Sequence, residues 1–123
     1  KLAVELNCLR WGGALLHLVY DFIASSGLKP PFSVPKLRFV GAGLAVSQNG
    51  GNDTFLVEEL IKDRPFVKYI NNDSAKPSSF SDPGRAETAR FLAFCQHVHW
   101  EQTDRQVYIS DFQGKLHYFF KLQ

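Results

Sequence analysis

Asp111 and Gln113 stand two residues apart, directly ahead of Gly114. In an extended chain such positions project to one face, which would set a carboxylate beside a carboxamide. A hard divalent cation takes oxygen donors of this kind, and a carboxylate next to a reacting hydroxyl can accept its proton. Val107, Tyr108, Ile109 and Ser110 just before them predict the β-strand that would present the pair. The same residues also read as a strand ending in a polar turn, the commoner meaning of this pattern. The rest of the chain carries the choice.

Other clusters are weaker. Cys95, His97 and His99 could suggest a metal, but on a helix Cys95 and His99 share a face and His97 does not. No second cluster supplies the four ligands a structural zinc wants. Gly41-Ala42-Gly43 is half of a dinucleotide fingerprint, with no third glycine where one is required and a strand where a helix should open. In the run 55–60, alternation puts Phe55, Val57 and Glu59 on one face and Leu56, Glu58 and Leu60 on the other. A Glu58 flanked by leucines must lie at an edge or be held by a partner. Lys115, His117 and Lys121 interleave with Tyr118, Phe119 and Phe120, which suits a terminal strand with a buried aromatic face better than a platform for single-stranded nucleic acid.

The elements that would position these residues follow from periodicity. Apolar residues at helical spacing predict a first helix over residues 5–24, ended by Gly27, with Trp11, Leu15 and Tyr20 widening its apolar surface to more than one side. Pro30, Pro31 and Pro35 make the next stretch an extended connector. Residues 37–46 and 54–61 read as two strands around the Asn49-Gly50 step, a hairpin. A short extended stretch over 66–69 and a Ser/Pro-rich loop follow. Asp82 as N-cap and Pro83 at the first helical position then open a second helix to about Trp100. The fold class is α+β, with two main helices packed on antiparallel strands.

With 123 residues the chain is one domain or part of one, large enough for a core. A net charge of +2 gives no case for nucleic acid or an anionic membrane, and the apolar segment 14–24 is far shorter than a membrane span. Cys8 and Cys95 read as buried thiols and point to a reducing, intracellular compartment, the cytoplasm. The sequence has no Met, and Lys1 opens straight into a periodic segment, so the chain reads as a fragment of a longer one.

Four blocks in order resemble the alpha-type (atypical) protein kinases. Val57-Glu58-Glu59-Leu60-Ile61 looks like the family's hinge, and Phe66-Val67-Lys68-Tyr69-Ile70-Asn71-Asn72 like the Lys-Tyr-Asn-Asn block after it. Residues 94–101 resemble the helix end with its His, aromatic and Glu, and Ser110-Asp111-Phe112-Gln113-Gly114 matches Asp-x-Gln-Gly. The long first helix resembles the expanded fungal branch. The resemblance implies ATP-dependent phosphorylation of Ser or Thr in a protein substrate. Glu58, Glu59 and Leu60 would hold the adenine of ATP, Asp111 would be the catalytic aspartate, Gln113 would help bind Mg²⁺, and His97 would be one ligand of a structural zinc completed elsewhere. Physically this suits phosphoryl transfer, in which a protein mainly positions reactants and neutralises charge.

Departures accompany it. Family members continue to a Thr-Asp-Pro whose Asp is a second metal ligand, whereas residues 115–120 here contain no Asp. The remaining zinc ligands, the glycine-rich loop and the strands bearing the phosphate-binding Lys are also missing. The expectation is the middle of an alpha-kinase domain (late N-lobe helix, hinge hairpin, start of the C-lobe), a poor catalyst or none. Its competitor is a kinase-like remnant acting as a binding module. The kinase reading requires residues 58–60 and 111–113 to meet across one cleft.

Overall fold

The computed structural model describes residues 1–51, 53–62, 66–115 and 119–121, the last three by their backbone. Helix α1 (Leu2–Ser25) buries Leu9, Gly12, Leu15, Leu16 and Val19, one stripe at three- and four-residue steps. Trp11, expected to bury a second side, is 68% exposed, because the partners of α1 cover only that one stripe. Gly27 takes φ +66 just beyond the helix, the left-handed terminator its position predicts. The proline-rich connector returns along α1 and is fixed by Tyr20, whose hydroxyl donates to Pro35 O and accepts from Leu37 N, both at 2.8 Å. Phe32 from the connector meets Phe91 and Phe94 edge-on, with ring centres 6.4 and 5.4 Å away.

The predicted strand over 37–46 divides. β1 (Arg38–Phe39) belongs to a four-stranded sheet and β2 (Ala42–Val46) pairs with β3 (Thr54–Glu58) in a separate hairpin. Gly41 sits at the break, and Gly50 turns the hairpin with φ +75, as Asn49-Gly50 predicts. Phe55 and Val57 stay more than half exposed, on the face they share with Ala45 and Gly43. The four-stranded sheet runs β1-β6-β5-β4, with β4 at Val67–Ile70, β5 at Phe112–Lys115 and β6 at Phe119–Lys121. β1 lies parallel to β6 and the other neighbours are antiparallel. The expected terminal strand is therefore present, while the burial of its aromatic face lies outside the described residues, as do His117 and Tyr118.

Helix α2 (Pro83–Gln102) starts where the sequence places it, with Asp82 Oδ1 accepting the Arg85 N–H at 2.8 Å and Pro83 in the first turn. One core joins α1, α2 and the sheet through Val19, Tyr69, Ile70, Phe91, Leu92 and Phe112. The fold is α+β, two helices on small sheets. No helix among the described residues is long and apolar enough to cross a membrane.

Candidate active site

After α2 the chain must reverse to bring Asp111 to the sheet. Thr103 Oγ1 donates toward His99 O and Val107 O and accepts the Val107 N–H, pinning both ends of the reversal. Asp104 and Arg105 make the turn at φ +50 and +64, a backbone region costing non-glycine residues roughly 1–2 kcal/mol each. Residues 107–111 then run without strand pairing, contrary to the expected strand over 107–110. The ladder begins at Phe112 because its partner β4 reaches only that far, with Ile70 opposite Phe112. Val107 and Tyr108 remain exposed, whereas Gln96 Nε2 donates to Ile109 O at 2.7 Å and holds the segment against α2.

Phe112 is 1% exposed in the core, so its neighbours on either side leave the opposite face of the strand. Asp111 and Gln113 are both buried there. Lys68 of β4 lies opposite Gln113, so these side chains share a face. Its ammonium stands 3.1 Å from Asp111 Oδ1, with the lysine side chain 41% and the aspartate 4% exposed. The contact is ionic proximity rather than an aligned hydrogen bond, since Oδ1 receives no hydrogen bond and Gln113 Nε2 likewise finds no partner. A buried carboxylate and a buried carboxamide with bonding capacity to spare adjoin one cation. That arrangement can take the proton of a hydroxyl, donate to a phosphoryl oxygen and offset its charge.

Sequence reasoning gave Lys68 no role. Its only local signal is one charge in the apolar run 66–70, and its link to Asp111 depends on a strand pairing across some forty positions.

The hinge block lies apart. Glu58 ends β3, half-buried beside Leu56, whereas Leu60 is 75% exposed. The Glu59 N–H donates to Gly41 O at 2.8 Å. Its carboxylate accepts two 2.7 Å hydrogen bonds from the Arg38 guanidinium and one from the Gly41 N–H. These, Arg38 foremost, hold the Glu59 carboxyl down to about 2. Two contacts tie this block to the sheet of Asp111. Arg38 lies on β1, and Lys115 at the end of β5 donates to Lys62 O at 2.6 Å. No cavity described is lined by both residues 58–60 and residues 111–113.

His97 points away from the core into an open cleft of about 600 Å³, with Asn72, Asp73, Gln96, Trp100 and Ser110. Cys95 and His99, by contrast, are fully buried, as the helical spacing predicts. No three His, Cys, Asp or Glu side chains come together as a metal site among the described residues. Cys8 was expected to be a buried thiol and is exposed, because it lies off the inward stripe of α1.

The sequence model of the alpha-kinase family matches residues 14–123, all but the first thirteen. The chain belongs to the alpha-kinase family. No curated protein and no solved structure matches it. The matched stretch contains every block that carried the resemblance, and the family is one of kinases.

Proposed function

We propose that this alpha-kinase chain transfers the γ-phosphoryl group of ATP to a serine or threonine hydroxyl of a protein substrate. The observation that carries the reading is the buried Asp111, ion-paired with Lys68 and sharing a face with Gln113. Asp111 accepts the proton of the acceptor hydroxyl as its oxygen bonds to phosphorus and the bond to the departing ADP oxygen breaks. Lys68 offsets negative charge beside the reacting groups, and Gln113 Nε2 has a hydrogen bond to give. A Mg²⁺ ion favours one or two carboxylate oxygens together with phosphate and water, and the Asp111 carboxylate with the Gln113 carbonyl fits that donor set. When bound it would neutralise phosphate charge. Zinc takes no part in this reading, since no three His, Cys, Asp or Glu side chains gather among the described residues.

For the adenine, Leu60 is the part of the hinge best placed to offer its backbone, since the Glu59 N–H is already committed to Gly41. Arg38 anchors Glu59 to β1, two strands from β5, or roughly 10 Å at the usual strand spacing.

The engaged Glu59 N–H favours a second reading, a kinase-like binding module without catalysis. Mg²⁺-dependent ATP binding and phosphotransfer separate the two. Under the first, ATP raises the melting temperature only with Mg²⁺, and Asp111→Ala abolishes transfer to a protein substrate while leaving the fold intact. A folded protein with no shift and no transfer is the outcome that favours the second.

A further inference from the structure

We infer that the open cleft between α2, the loop 72–75 and residues 108–110 receives the side chain of an arginine carried on a segment of a partner protein. The inference goes beyond the phosphoryl-transfer reading and does not depend on it, since neither Asp111 nor Lys68 lines this cleft.

At about 600 Å³ the cleft lies within the roughly 300–1,000 Å³ of sites that hold a cofactor or drug-sized molecule. Its lining divides into aromatic surface and hydrogen-bond acceptors. Trp100 of α2 and Tyr108 after the reversal set their rings at 79°, with centres 5.9 Å apart, and both are partly exposed. Each braces the other, so the aromatic corner exists before anything binds. A cation over an exposed indole or phenol ring is attracted by its electron-rich face, most strongly over tryptophan.

The acceptors come from three segments of chain. Gln96 is 9% exposed, and its Nε2 donates to Ile109 O at 2.7 Å. That carbonyl can only accept, so the amide nitrogen is committed and the amide oxygen is what Gln96 has left to offer. Asp73 brings a carboxylate, the one charged side chain of the described lining at pH 7, where His97 is neutral. No ion pair among the described residues takes that carboxylate up. Ser110 adds a hydroxyl, which can accept as well. A flat, positively charged occupant rich in donors answers all of these.

A guanidinium is planar, has five N–H donors and no acceptor, stacks on aromatic rings and is more weakly hydrated than an ammonium. A phosphate would face the Asp73 carboxylate, and an aliphatic side chain would bury the Gln96 oxygen without a donor. The cleft is also larger than one arginine side chain fills, which leaves room for peptide backbone on either side of it.

The chain has two tryptophans, and Trp11→Phe, at an exposed position outside this lining, leaves Trp100 as the fluorescent reporter. The whole chain carrying Trp11→Phe is titrated, without ATP, with the capped peptide Ala-Gly-Arg-Gly-Ala. A saturable change in Trp100 emission is expected. The corresponding lysine peptide binds several-fold more weakly, and the citrulline peptide, nearly isosteric but uncharged, produces no change. Free arginine, lacking the flanking backbone, binds more weakly than the peptide. Asp73→Asn, at an exposed loop position, weakens binding by about tenfold, the loss expected of one charge-assisted hydrogen bond. Tyr108→Leu, which removes one aromatic wall, weakens it too. No saturable change, equal binding of the three peptides, free arginine binding as tightly as the peptide, or affinity indifferent to Asp73→Asn overturns the inference.

Discussion

Lys68 governs how Asp111 exists in the folded chain. A carboxylate 4% exposed has lost nearly all its water, and a half-exposed ammonium 3.1 Å away is its counter-charge. Replacing that lysine by methionine leaves the carboxylate buried and unpaired, at a cost of about 1–3 kcal/mol. On the proposed kinase reading it also removes charge compensation beside the phosphoryl group, worth about a hundredfold in rate where such groups act. We expect Lys68→Met to lower the urea midpoint and the phosphotransfer rate together, and Lys68→Arg to restore stability more fully than rate. Unchanged stability in Lys68→Met would show that the pair does not hold Asp111. Asp111 and Gln113 were readable from spacing because period-two alternation is local. Lys68 was not, because its neighbour is set by the β4–β5 register, which no local pattern encodes. The exposed Cys8 was misread for a related reason: a helical stripe is legible, but which edge of it faces the core is decided by what packs there.

At the scale of elements, the signals that held were those with a backbone cause. Asp82-Pro83 caps α2, Gly27 ends α1 and Gly50 turns the hairpin, each where its conformational preference is strongest. The failures came where partner strands decide. Residues 37–46 look like one strand but serve two sheets, and residues 107–110 have strand-like composition with no strand beside them. The connector between α1 and β1 depends on a device invisible in the sequence, the Tyr20 hydroxyl bridging Pro35 O and Leu37 N. Tyr20→Phe keeps the ring, which lies 6.0 Å from Phe91, and removes only the bridge. The expected loss is about 1–3 kcal/mol, read from urea unfolding, because the Leu37 N–H and Pro35 O are left without that partner. A change confined to a few tenths of that would mean water replaces the hydroxyl.

For the molecule as a whole, α1 and α2 are joined by a buried imidazole. His99 Nε2 lies 3.1 Å from Leu15 O, which requires the proton on that nitrogen, and the ring is 0% exposed. Burial, opposed by the Leu15 contact, lowers its pKa from 6.5 to about 4. Between those values the unfolded chain binds the extra proton and the folded one does not. Stability therefore falls as pH drops from about 6.5 to about 4 and levels off below. At ~1.4 kcal/mol per pH unit, the window is worth up to about 3.5 kcal/mol. Denaturation midpoints measured across that range should decline, and His99→Gln should flatten the decline.

The strand order has a further consequence for how the chain comes into being. Arg38 of β1 pairs with Phe119, so that edge stays open until residue 119 has emerged, whereas the β2–β3 hairpin can close as soon as Glu58 emerges. Nascent chains stopped before residue 112 would carry the folded hairpin and the helices, yet no assembled Asp111–Lys68 pair. The Asp111–Lys68 pair is thus assembled well after the hairpin, once β5 has joined β4.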